Sequence, residues 1–240
     1  MLMHKVKSIG RRFGVEMNRY SPVCDQYDTL VFLAGRHGAG TMLDVGANIG
    51  QFGARMIRAG WSGQILSFEP LADAHAALVA EASAHRRWQV APPLAIGAEA
   101  GTVDINVAGN LLSSSILPML ARHSDAAPES AYVRTETVKV LPLAEAIADR
   151  PESERYFLKI DVQGFEAEVL RGAAPVLPRC PLLHIEMSLT PLYEGGSLLC
   201  GLVGDLAALG YRCIGLHPGF HDPDSREMLQ ADGIFLRDDA

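Results

Sequence analysis

Met42-Leu43-Asp44-Val45-Gly46-Ala47-Asn48-Ile49-Gly50-Gln51-Phe52-Gly53 is the stretch whose reading decides the fold. An apolar run ends on an acid, turns through Gly46 and Gly50, and continues in a pattern that predicts a strand at 41–45 and a helix at 50–60. A glycine turn between strand and helix lies at the carboxyl end of a parallel sheet, where doubly wound proteins bind their ligands. A pyrophosphate at such a turn needs G-x-G-x-x-G so that backbone and helix N-terminus can close on it. Counted from Gly46, the second glycine position holds Asn48 and the third holds Gln51. Both departures fall where a phosphate needs room, and the turn carries no P-loop lysine.

Working outward, strands are expected near 41–45, 64–68, 88–95, 156–161 and 182–187, with helices near 50–60, 72–84, 164–171 and 198–209. Gly172 and Gly210 read as helix C-caps, with Pro175 beyond the first and Ser197 opening the last helix. Alternation of this kind implies βαβ units and a parallel sheet. The tail changes character: 211–216 and 233–236 are both strand-like with no helix between them, an antiparallel hairpin closing the sheet. The expected fold is therefore α/β: a doubly wound, mostly parallel, seven-stranded Rossmann-like sheet in a single domain over 41–240, preceded by a helical extension over 1–40. An insertion at about 98–143 interrupts the alternation. Its segments 102–107 and 135–141 alternate like the strands of a hairpin, and 111–128 between them is rich in Ser, Ala and Pro. A long insertion beside a binding edge serves as a lid or an acceptor platform.

The 240 residues carry a formal charge of −7, which argues against nucleic acid as a partner, and 48% of them are hydrophobic. No apolar run approaches the ~20 residues of a membrane span. Cys24, Cys180, Cys200 and Cys213 show no zinc spacing and read as free thiols of a reducing cytoplasm. Residues 1–20 differ from the rest, with Lys5, Lys7, Arg11, Arg12 and Arg19 set against Glu16 alone. Leu2, Val6, Ile9 and Phe13 recur at helical spacing among them. Such a segment either packs on the domain or touches anionic lipid at the inner membrane face.

The second strand ends on Glu69-Pro70. An acid at that place accepts ribose hydroxyls in nucleotide-binding α/β folds, and Pro70 biases Glu69 away from helix, although a helix N-cap carboxylate would look the same. Ribose recognition beside a turn too crowded for pyrophosphate fits a cationic, phosphate-free cofactor, and S-adenosylmethionine is one. Asp44, Gly46 and Asn48 are expected to meet its methionine end, with Gly50 and Phe52 completing the turn. Glu69 and Pro70 are expected at the ribose, Ala95 or Ile96 against the adenine, and Asp161 is a further expected cofactor contact. In Phe157-Leu-Lys-Ile-Asp161-Val-Gln-Gly-Phe-Glu166, Lys159 and Asp161 project from one strand face. His184-Ile-Glu186 repeats the device at the end of another strand. Lys159, Asp161 and Glu186 form either a structural ion-pair network or a catalytic group, with Asp161 the first candidate for general base and Glu186 the second. Asp161 and Glu186 also suit Mg²⁺. His217 and His221, in the stretch expected to form the loop between the last two strands, are further candidates for the acceptor side.

Taken together, Asp44–Phe52, Phe68-Glu69-Pro70, the Leu-Leu-Ser-Ser-Ser run at 111–115, Lys159–Glu166, the stretch 186–195 and Asp232-Gly-Ile-Phe235 resemble the FkbM family of S-adenosylmethionine-dependent O-methyltransferases. The resemblance runs from about 42 to 236 and implies methyl transfer to a hydroxyl of a sugar, glycolipid or macrolide. The basic N-terminus tilts the expected acceptor toward the sugar of a bacterial glycolipid, with a polyketide-type product as the alternative. An NAD-linked oxidoreductase is disfavoured by the failed glycine fingerprint. A non-catalytic cofactor-binding protein is disfavoured by acids intact at three strand ends.

Overall fold

The computed structural model describes residues 25–238. Ten strands follow in chain order: β1 Thr41–Val45, β2 Gln64–Phe68, β3 Trp88–Val90, β4 Ala95–Ile96, β5 Gly101–Ala108, β6 Tyr132–Leu141, β7 Tyr156–Ile160, β8 Leu182–Ser188, β9 Tyr211–Pro218 and β10 Gln230–Arg237. The α-helices are α1 Gln26–Arg36, α2 Gln51–Arg58, α3 Ala72–Ala82, α4 Ala121–Ala126, α5 Leu143–Ala146, α6 Glu166–Ala173 and α7 Leu199–Ala208. Seven strands form the main sheet in the order β3-β2-β1-β7-β8-β10-β9. Neighbours from β3 to β8 are parallel, while β10 runs antiparallel to both β8 and β9. The closing hairpin thus enters with its second strand innermost, leaving β9 at the edge.

Alternation along the strands sends one set of side chains to each face. Leu43, Val45, Leu158, Ile160, Leu183 and Ile185 pack with Val169 of α6 and Leu202 of α7. Met42, Ile65, Phe157 and Leu182 pack on the other face with Leu30 and Ala34 of α1 and Met56 of α2. Each fully buried aliphatic or aromatic side chain contributes on the order of 1.5–3 kcal/mol, so the two layers account for most of the drive to fold.

Three expectations need correction. The strand expected over 88–95 is broken in two: β3 pairs with β2, and β4 leaves the main sheet to pair with β6 in a second sheet of order β4-β6-β5. Pro92 and Pro93 lie at the break, and a residue without an N–H cannot hold a ladder. Gly172 lies inside α6 and does not cap it; a Cβ there would stand 1.9 Å from the carbonyl oxygen of Gly97, so the residue permits helix and loop to touch. The helix expected from 164 starts at Glu166. The hairpin expected within the insertion is present as β5 and β6, paired antiparallel from Gly101↔Val140 to Ala108↔Tyr132. The basic segment 1–20 lies outside the described residues. Among the described residues no helix is long and apolar enough to cross a membrane, and Cys180, Cys200 and Cys213 are free.

Candidate active site

Strands β1, β2 and β7 end side by side, and the turns that follow them enclose a cleft with an empty volume of about 840 Å³, its open mouth included. Gly46 makes this junction possible. It has φ +74°, and a Cβ on it would lie 1.8 Å from the main-chain oxygen of Asp161. The first turn and the end of β7 therefore touch through bare backbone. Asn48 follows in the left-handed region at φ +49°, a conformation asparagine tolerates better than most residues.

Glu69 is buried on the cleft wall. Its Oε2 accepts the N–H of Asn48 at 2.9 Å and its Oε1 accepts the N–H of Leu71 at 2.9 Å. Each oxygen keeps a lone pair, which leaves the group able to accept two hydroxyls. Burial pushes its pKa up to about 7, against the two backbone bonds and the positive charge of Lys159. Gln51 also lines the cleft, and its Oε1 is shielded without a hydrogen-bond partner. Pro70, Phe52, Ala95 and Ile96 all contribute to the walls.

Asp44 and Gly50 do not line the cleft. Asp44 is fully buried, paired through Oδ1 with Lys159 Nζ at 3.2 Å and accepting the Ser67 hydroxyl on Oδ2 at 3.2 Å. Parallel pairing sets Asp44 beside Lys159 in register, so the ammonium draws the carboxylate into the layer beneath α2. Gly50 caps α2 and faces Leu78 and Trp88. The Asn48 side chain is spent within the protein, donating to the Leu111 carbonyl at 3.3 Å and accepting the N–H of Ile49 at 2.8 Å.

Lys159 links the two halves of the site. Its ammonium donates to the Gly46 carbonyl at 2.7 Å, pairs with Asp44, and lies 3.6 Å from Asp161 Oδ2. Burial acts to lower its pKa, but Asp44 and Asp161 outweigh that and hold the group charged. The Phe52 ring centroid is 5.6 Å from the same nitrogen. Asp161 is the least buried member of the group, its side chain 36% exposed to the cleft side.

Gln163 connects Asp161 to Glu186. Its Nε2 donates to Asp161 Oδ1 at 3.0 Å and to Glu186 Oε2, while Gln230 Nε2 reaches the same Glu186 oxygen at 2.7 Å. The Glu186 carboxyl is pushed well up, by burial first and then by the negative charges of Asp161 and Asp232. Asp232, its partner across the β8–β10 ladder, is pushed up to about 6 by burial and then by Asp161. His184 is buried one step down β8, pushed down to about 3 by burial and then by Lys159, and both its ring nitrogens lack hydrogen-bond partners. Glu166 accepts the N–H of Gly164 at 3.0 Å and of Val162 at 3.3 Å, bracing the turn after β7.

The structure does not bring the two expected histidines to the cleft. His217 is half-buried within β9 opposite Asp232, not in a loop, because β9 runs through Pro218. His221 is exposed and hydrogen-bonds the carbonyl of Gly219 two residues back. Neither lines the cleft. The donor set does not fit the expected Mg²⁺ either. Asp161 and Glu186 present their facing oxygens to an amide N–H₂, and among the described residues no group of three or more His, Cys, Asp or Glu converges as a metal site.

Sequence reasoning missed Gln163, Tyr193, Gln51, Glu166 and the insertion's wall residues Leu111, Ser114 and Ser115. A left-handed residue before Gly164 leaves no strong mark in sequence; the serine run was visible as a motif without a role.

The FkbM methyltransferase domain family matches the sequence over residues 44–223. A search of curated proteins found no match. Among solved structures, the O-methyltransferase TomG from Streptomyces achromogenes, involved in tomaymycin synthesis, is 12% identical over 98% of this chain and 88% of its own, with a TM-score of 0.48. Magnesium protoporphyrin IX methyltransferase from Synechocystis PCC 6803 is 8% identical over 88% of this chain and 77% of its own, with a TM-score of 0.47. A SAM-dependent methyltransferase from Aquifex aeolicus is 11% identical, covers 91% of this chain and 98% of its own, and scores 0.44.

Proposed function

The chain belongs to the FkbM methyltransferase family and is a SAM-dependent methyltransferase, and from that premise we propose that it is an O-methyltransferase acting on a sugar hydroxyl of a bacterial glycolipid. The observation that carries this reading is one cleft whose lining holds both Glu69, an acid fit for a ribose, and Asp161, the exposed carboxylate that Gln163 links to Glu186 behind it.

The chain's donor set fits S-adenosylmethionine. Glu69 keeps two lone pairs for the ribose hydroxyls, and the orphaned Gln51 oxygen suits the ammonium of the methionine end. Backbone at Gly46 and Ala47 forms the floor, and Ala95 and Ile96 offer apolar contact to the adenine. When bound, the cofactor supplies an electrophilic methyl carbon on a sulfonium.

An alcohol is a weak nucleophile until its proton leaves, so the site needs a base within hydrogen-bond reach of the acceptor oxygen. Asp161 fills that role. It is the exposed carboxylate of the group, while Glu186 beside it is pushed up by burial and then by Asp161, which eases the repulsion between the two. Lys159 fixes Asp161 from behind and ties the turn beneath the cofactor to the same strand. Orientation of the acceptor oxygen in line with the methyl group supplies much of the remaining rate. The insertion forms the outer wall through Leu111, Leu112 and Ile116, an apolar surface suited to the aglycone of a glycolipid.

Two measurements test this. Titration calorimetry with S-adenosylhomocysteine should show binding by the parent protein and a loss of about tenfold or more in Glu69→Ala; undiminished binding removes Glu69 from the site. A strain deleted for the gene should lack one methoxy group in its glycolipids by mass spectrometry. An unchanged lipid profile overturns the glycolipid acceptor.

A further inference from the structure

We propose that Gln163 is a positioning residue whose side-chain amide clamps Asp161 and Glu186 into one fixed pair, and that Tyr193 and the insertion set the orientation of that clamp. Gln163 sits at φ +54°, in the left-handed region, immediately before Gly164 at φ +100°. A non-glycine residue is strained there and persists only where its surroundings over-determine it. The surroundings here do so. The two Nε2 hydrogens go to Asp161 Oδ1 and Glu186 Oε2, the Oε1 accepts the hydroxyl of Tyr193 at 2.7 Å, and the main-chain oxygen accepts Ser115 Oγ at 2.6 Å.

An amide can rotate by half a turn with little change of shape, so something must choose its orientation. Flipped, Gln163 would aim its oxygen at two carboxyl groups and its N–H₂ at a hydroxyl. Tyr193 stabilises the productive orientation because the phenol donates to Oε1. Tyr193 is itself buried, with its ring 5.2 Å from that of His123 in α4. The amide that holds the acids is thus held by Tyr193, which follows β8, and the insertion braces both residues. Placement of the insertion is coupled to the geometry of the base through the Ser115 hydrogen bond to Gln163 and the His123 ring against Tyr193. This inference rests on the reading of Asp161 as the base.

The variants are Gln163→Leu, Tyr193→Phe and the two combined. Label transfer from radioactive S-adenosylmethionine is followed with aqueous and lipid extracts of the deletion strain as the acceptor source. Gln163→Leu should slow transfer at saturating cofactor by about 100-fold with KM for S-adenosylmethionine within about twofold. Tyr193→Phe should slow it by about tenfold. The double variant should match Gln163→Leu alone, since both act through one amide. Multiplying losses, or a change confined to KM, overturns the clamp. A readout independent of the acceptor uses the Gln163 side-chain N–H₂ resonances, assigned as the pair lost in Gln163→Leu. They should shift in both Asp161→Asn and Glu186→Gln, and in Tyr193→Phe; resonances unmoved by these changes overturn the proposal. Failure of every extract to accept label, with the resonances shifting as expected, counts against the acceptor and leaves the clamp in place.

Discussion

Two rows of polar residues cross the same face of the main sheet, and they do different things. The inner row runs Ser67, Asp44, Lys159 and His184, each the register partner of the next across β2, β1, β7 and β8. The outer row, one pleat repeat nearer the strand ends, holds Asp161, Glu186, Asp232 and His217. The inner row is buried, and three of its four members are linked: Trp88 Nε1 donates to Ser67, Ser67 donates to Asp44, and Asp44 pairs with Lys159, while the His184 ring nitrogens have no hydrogen-bond partner. The outer row has three carboxyl groups facing one ammonium, and Glu186 and Asp232 are pushed up by burial first and by Asp161 next. A surplus of acid that a folded core would not tolerate is tolerable at an open edge, where a proton or a substrate hydroxyl can relieve it. Charge balance separates the buried row from the row proposed to do the chemistry.

Asp161→Asn should change the protein most. Turnover should fall by about 10²- to 10⁴-fold while S-adenosylhomocysteine still binds within a few-fold of the parent; turnover retained in this variant moves the base elsewhere. Next is Lys159→Met, which strands a buried Asp44 without its partner. Urea unfolding should show a loss of about 3–5 kcal/mol, and a loss below about 1 kcal/mol would show that the inner row does not hold the fold together.

A smaller effect separates Glu69 from both rows. Its folded pKa, about 7, lies above the ordinary 4.5, so the stability it contributes is complete below 4.5 and is lost as pH rises through 7. Ribose hydroxyls favour the ionised carboxylate, so S-adenosylhomocysteine should bind more tightly as pH rises from about 6 to 8, by up to about tenfold. Calorimetry across that range should show the dependence in the parent and its disappearance in Glu69→Gln. A dependence that survives in the variant assigns the proton to another group. The smallest expected change is Ser67→Ala, about 1 kcal/mol, read by the same urea unfolding. Ser67 accepts from Trp88 and donates to Asp44, and a neutral result would mean that those bonds are replaced when the hydroxyl is removed.

Much of this arrangement is legible before folding, because it is local. The turn from Asp44 to Gly50, the acid at Glu69, and the pairing of Lys159 with Asp161 on one strand face all follow from period and motif over a few residues. The split between β3 and β4 was legible too, at Pro92 and Pro93, but the apolar run around them reads as one strand when only hydropathy is weighed. What the sequence obscures is contact across long separations. Asp44 reads as a cofactor ligand until parallel pairing places it beside Lys159, 115 residues later, and turns it inward. Gln163 reads as a turn residue until Tyr193, from a different loop, is found on its amide.

The doubly wound α/β fold, a glycine turn unsuited to pyrophosphate and acids at the strand ends are readable from the chain alone, since strand period, turn chemistry and charge placement are properties of short segments. Which acids are buried and which line the cleft emerges on folding. Register sets Asp44 against an ammonium and Asp161 toward the cleft, and no local pattern carries that information, because a buried charge takes its role from the partner that folding delivers to it.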